Sequence, residues 1–143
     1  MRKINKIIIH CTATPEGREV TIKDLQKWHI EENKWSDVGY HYFIDLKGVV
    51  YPCRPLLRIG SHTKGENKFS IGIAYAGGMD KAMKVSKDTR TPEQKEALDC
   101  LLHELKDRFQ DAIIYGHRDF SSKDCPSFDA FHEYFHISQN YLS

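Results

Sequence analysis

The chain has 143 residues, 40% apolar and 29% charged, which suits one globular domain and leaves too little for two well-cored halves. Its 21 basic and 20 acidic residues nearly cancel to a formal net charge of +1, so nothing calls for nucleic acid as a partner. No stretch reaches the roughly 20 apolar residues of a membrane helix, and Ile7-Ile8-Ile9 falls short of an export-signal core of about 7–15 residues, so the chain is expected to stay in the cytoplasm as synthesised.

Residues 5–11 read as a buried strand that ends at His10 and Cys11 and runs into the turn-rich segment Thr12 to Gly17. Thr21 is a helix N-cap with Asp24 as its capping-box partner, and Ile22, Leu25, Trp28 and His29 follow at helical spacing for about a dozen residues. His41 to Asp45 alternates, Lys47-Gly48 turns, and Val49-Val50-Tyr51 returns, which predicts a β-hairpin. From Pro55 to Ser70 there is little periodicity, and a loop of that length in a compact domain tends to be functional. Ile71 to Ala76 is a second buried strand, closed by Gly77-Gly78, and residues 79–90 look like a charged surface excursion.

The clearest helix begins at Thr91-Pro92-Glu93-Gln94, where an N-cap, a first-turn proline and a glutamine capping partner coincide. Leu98, Leu101, Leu102, Leu105 and Phe109 form its apolar stripe. Ala112 to Tyr115 is a further strand, and Phe128, Phe131, Tyr134 and Phe135 mark a final amphipathic helix. The order of elements gives an α/β fold with a single mixed β-sheet flanked by helices, spanning residues 1–143 as one domain.

Without an export signal, the four cysteines are better read as free thiols or metal ligands than as disulfides. Cys100 falls in the helical apolar pattern and is expected in the core, and burial is the simplest reading of Cys11 and Cys53. Cys125 differs, because it lies on the loop before the final helix, eight residues after His117. His10 closes the first strand and His117 follows the last one, so all three sit where a rigid sheet can present ligands. Two imidazoles and a thiolate suit Zn²⁺ and leave a fourth tetrahedral position open.

Six segments extend this reading: Ile7 to Thr14, Asp37 to Tyr42, Gly60-Ser61-His62-Thr63-Lys64-Gly65, Ser70 to Ile73, Gly116-His117-Arg118-Asp119 and Lys123 to Asp129. In order and in register, these blocks resemble the zinc N-acetylmuramoyl-L-alanine amidases, a family that includes phage endolysins and peptidoglycan-recognition proteins. The resemblance implies an amidase/recognition-protein-like fold and hydrolysis of the amide between N-acetylmuramic acid and L-alanine, with peptidoglycan or a muropeptide as partner. It also implies His10, His117 and Cys125 as zinc ligands, Tyr40 and Lys123 as catalytic residues, and His62 in the substrate groove.

Tyr40 would donate a phenolic hydrogen bond and Lys123 a positive charge to a developing oxyanion, a kind of stabilisation worth about 3–4 kcal/mol per donor. Retention of Cys125 favours catalysis over recognition alone. A structural zinc would need a fourth protein ligand, and Cys11, adjacent along the strand, should point to the other face. His41 is read as structural or supporting, and Asp119 and Asp129 as either orienting an imidazole or capping the last helix. The expectation is a monomer with no membrane partner, acting on the wall after release or export, or on recycled fragments.

Overall fold

The computed structural model describes residues 2–32 and 37–140. The main sheet is mixed: β1 (Lys6–Cys11) lies between β5 (Ser70–Tyr75) and β7 (Ile113–Gly116), parallel to both. Next come β3 (Tyr42–Ile44), parallel to β5, and its antiparallel hairpin partner β4 (Val50–Pro52). The expected mixed sheet with flanking helices is therefore present.

A parallel strand between two others is covered on both faces, so its sequence is apolar throughout rather than alternating. Ile7, Ile8 and Ile9 are accordingly fully buried. Ile7, Ile9 and Cys11 pack with Leu98, Leu101, Leu102 and Leu105 of α2 (Pro92–Arg108) and with Ile137. Burying each such leucine contributes about 1.5–3 kcal/mol. A second cluster of Val20, Leu25, Val38, Phe43, Ala74 and Ala76 belongs to the other face, with α1 (Ile22–Gln26). Helix α1 carries the expected capping box of Thr21 and Asp24 and continues through Lys27–Glu32 as a wider π-type turn. The capping box at Thr91 and Gln94 starts α2 as read from the sequence.

Three expectations need correction. Cys100 is exposed, not core. It stands about 200° round the helix from Leu98 at 3.6 residues per turn, off the stripe that meets the sheet. Residues 79–90 are not all surface, since β6 (Gly78–Met79) pairs with β2 (Thr14–Pro15) as a small second sheet. Arg90 is buried in the same segment, bonded to Asp88, Glu133 and Tyr134, with its guanidinium 3.4 Å from the Phe128 ring centre. The final helix is divided at Tyr134 into α3 (Ala130–Glu133) and α4 (Phe135–Asn140), which leaves Phe135 exposed.

His41, just before β3, is 1% exposed and holds the β3–β5 seam. Its Nδ1 accepts the Gly72 N–H at 3.0 Å and its Nε2 donates to the Arg58 carbonyl at 2.9 Å. Burial first, with the Arg2 and Arg54 charges after it, lowers this imidazole to about 4, against the partly offsetting bond to Arg58. Because the unfolded value is about 6.5, the unfolded chain takes up the proton first as pH falls. Stability is therefore intact above about pH 6.5 and falls by on the order of 2–3 kcal/mol toward pH 4. Urea midpoints across that range should drop, more steeply in the parent than in His41→Asn; a constant midpoint contradicts this role for His41.

Candidate metal centre and active site

The parallel register of β1 and β7 sets Ile9 opposite Gly116, so the next residues on the two strands, His10 and His117, emerge side by side. Their ring centres are 4.6 Å apart. His10 is 2% exposed, while His117 is half-buried and opens toward solvent. The His117 turn is fixed from below, where the Asp119 carboxylate accepts the Gly116 N–H at 2.9 Å.

Cys125 is brought to the pair by its own loop. The Tyr75 hydroxyl donates to the Pro126 carbonyl at 2.6 Å, and the Arg118 N–H donates to the Cys125 carbonyl at 2.7 Å. Gly116 lets that loop approach, since a Cβ there would lie 2.8 Å from Pro126 Cδ. As a result the ligand atoms of His10, His117 and Cys125 all fall within 4.8 Å of one another, with His10 Nδ1 at 3.9 Å from Cys125 Sγ. Zinc bonds of about 2.0–2.1 Å to nitrogen and 2.3 Å to sulfur, at tetrahedral angles, ask for donor separations of about 3.5 Å. The donor types fit such an ion, and the trio would close on it by roughly 1 Å or less between His10 and Cys125 and by somewhat more at its widest separation. The Cys11 backbone N–H donates to Cys125 Sγ at 3.2 Å, an interaction that favours the thiolate a metal requires.

Cys11 itself packs with Ile7 and Ile9, away from His10, and is outside the ligand trio. Its thiol nevertheless reaches Ser127 Oγ at 3.9 Å and bonds with the Cys125 side chain. That bond is the main reason the Cys11 thiol is lowered to about 7, while the same contact and burial push the Cys125 thiol up. Burial keeps His10 and His117 neutral, lowering both, with the Lys123 charge adding to the effect on each. Neutral imidazoles are the form that binds metal.

Tyr40 packs its ring against His10, with centres 5.2 Å apart, and against His29 at the same separation. Burial first, then the nearby thiols, raises its phenol, so the hydroxyl remains a donor at neutral pH. Lys123 is exposed and lines a cavity of about 600 Å³ together with His62, Lys64, Asn67, His117 and Phe120. Every site residue read from the sequence is thus gathered around one point.

Other residues at the site were not singled out by sequence. His29 Nδ1 accepts the Gly39 N–H at 2.8 Å and so anchors the turn that carries Tyr40. Thr63 is buried with its hydroxyl 3.2 Å from His10 Nε2. Tyr75 looked like an ordinary strand residue, and only the fold reveals that its hydroxyl holds the ligand loop. Asp129 caps α3 by accepting the His132 N–H at 3.2 Å. Neither Asp119 nor Asp129 bonds a ligand imidazole in this structure.

The sequence profile of the N-acetylmuramoyl-L-alanine amidases matches residues 1–128. The chain belongs to that family. An endolysin of Enterobacteria phage K11 is 38% identical over 128 residues, covering 90% of this chain and 83% of the phage protein. Among solved structures, the amidase LysC from Clostridium intestinale URNW superposes with a TM-score of 0.80 at 27% identity, over 97% of this chain and 87% of LysC. The ectodomain complex of peptidoglycan recognition proteins LCa and LCx with tracheal cytotoxin gives a TM-score of 0.75 at 28% identity, over 94% of this chain and 82% of that one. The protein is thus a peptidoglycan amidase.

If the His10–His117–Cys125 cluster is the metal centre, Cys125→Ser should lose stoichiometric zinc while keeping the parent's circular dichroism spectrum. Retention of one tightly bound zinc per chain would place the metal elsewhere.

Proposed function

We propose that this amidase cuts the bond between N-acetylmuramic acid and L-alanine, with one Zn²⁺ held by His10, His117 and Cys125. The convergence of two neutral imidazoles and one thiol beside an open groove supports the reading, because three protein ligands leave room for water and substrate. Zinc bound there would act as a Lewis acid and supply a water acidic enough to attack at neutral pH.

The chain's own residues divide the remaining work. The Tyr40 hydroxyl, kept protonated, donates to the oxygen that becomes negative as the amide carbonyl turns tetrahedral. Lys123, at the groove wall, places its ammonium on the solvent side of the same oxygen. Half-buried His117 leaves the solvent face of the cluster open to the substrate. Along the groove, His62, Lys64 and Asn67 face the incoming wall fragment, and the lysine offers a charge to stem-peptide carboxylates. Tracheal cytotoxin bound in the LCa–LCx complex supports a muropeptide as the occupant of this groove. We take the working unit to be a monomer forming one domain, reaching the wall after release from the cell, as its endolysin relatives suggest.

Incubation with purified peptidoglycan, with and without a chelator and zinc add-back, should release stem peptide bearing a free L-alanine amine only when zinc is present. Tyr40→Phe should keep its zinc and lose about 10²–10³ in kcat, as expected for removal of one oxyanion donor. Wall fragments that bind but stay intact under all conditions would instead identify a recognition module.

A further inference from the structure

His10 has two ring nitrogens with different tasks. Nδ1 faces Cys125, whereas Nε2 lies 2.9 Å from His62 Nδ1 and 3.2 Å from Thr63 Oγ1. For Nδ1 to offer its lone pair to a metal, the ring proton must sit on Nε2, and a proton buried there needs an acceptor. His62 Nδ1 accepts it when His62 carries its own proton on Nε2, which points to Ser70 Oγ at 3.3 Å. Ser70 is fully buried, so the chain of partners ends inside the protein.

The His62 ring is held for this purpose. A Cβ on Gly72 would lie 2.6 Å from its Cγ and Cδ2, and one on Gly60 would lie 2.7 Å from its Cδ2. The ring is therefore pressed against two backbone segments that only glycine leaves open. The backbone N–H groups of His62 and Thr63 both donate to Asn67 Oδ1, at 3.0 and 2.9 Å, which fixes the loop at that point. The glycines of the Gly60-Ser61-His62 and Ser70-Ile71-Gly72 segments thus have a shared physical reason.

We propose that His62 is a positioning residue for metal binding, accepting the Nε2 proton of His10 and so fixing the tautomer and ring angle that aim Nδ1 at Cys125 and His117. It rests on His10 being a zinc ligand. Because His62 is a neutral acceptor, it orients the ligand without adding charge, and the thiolate remains the only anionic protein ligand. Its ring edge still lines the groove, but both of its nitrogens are committed to protein partners.

Two measurements on the full chain test this without reading wall cleavage, so a failed amidase assay leaves the answer intact. Long-range ¹H–¹⁵N spectra of the metal-free parent should show His10 protonated on Nε2; a proton on Nδ1 overturns the proposal and requires no variant. In zinc competition against a chromophoric chelator, His62→Phe keeps the ring and removes the acceptor, and should bind about 10–100-fold more weakly. His62→Asn, whose Oδ1 stands where Nδ1 stood, should recover most of that loss. Parent-like affinity in His62→Phe, or equal weakening in both variants, would reduce His62 to packing.

Discussion

The parallel pairing of β1 with β7 is the constraint on which the rest depends. Setting Ile9 against Gly116 places His10 and His117 at adjacent strand ends, a juxtaposition no local sequence feature could produce. A shift of one residue would turn His10 into the isoleucine core and expose Cys11 in its place, because side chains alternate along a strand. Three successive isoleucines would tolerate such a slip, so the register is pinned at the end of the run, where the buried polar His10 and the core residue Cys11 belong to opposite faces. Cys125, the third member of the cluster, is then delivered by contacts with the same sheet: Tyr75 on β5 holds Pro126, and Gly116 on β7 admits it.

The site is also arranged electrostatically. Neutral imidazoles flank His10, and the Cys125 and Cys11 thiols beside Tyr40 are the neighbouring groups able to become anionic. The Cys11 N–H at Cys125 Sγ supports the anionic form of the ligand, while Lys123 contributes positive charge from the solvent side. Tyr40 packs on His10 and His29 beside these thiols, with its hydroxyl kept neutral by burial and by the thiols. A donor that cannot ionise and a cation free to move in solvent suit an oxygen whose charge appears only during reaction.

Much of this was legible in the sequence. Both long-helix caps, the hairpin at Lys47-Gly48 and the buried strands follow from local rules of spacing and turn chemistry, and the structure repeats them. Cys100 misled because it neighbours the Leu98–Leu101–Leu102 stripe without lying on it. Arg90 misled because a charged residue in a charged segment reads as exposed, whereas two carboxylates and a tyrosine hydroxyl compensate its burial. The ligand trio is too weak a signal by spacing alone, and the register of motif blocks identified it. The roles of His29, Thr63 and Tyr75 are long-range hydrogen bonds, which leave no periodic trace in a single sequence.

In the proposed mechanism the cluster binds one zinc through two imidazoles and a single thiolate, leaving a position open for chemistry. X-ray absorption at the zinc edge of the loaded protein tests it most directly. One sulfur at about 2.3 Å is expected, with the remaining nearest neighbours nitrogen or oxygen at about 2.0–2.2 Å. Two sulfurs in the first shell would mean that Cys11 closes the site beside Cys125, making the zinc structural and contradicting a metal-dependent amidase mechanism.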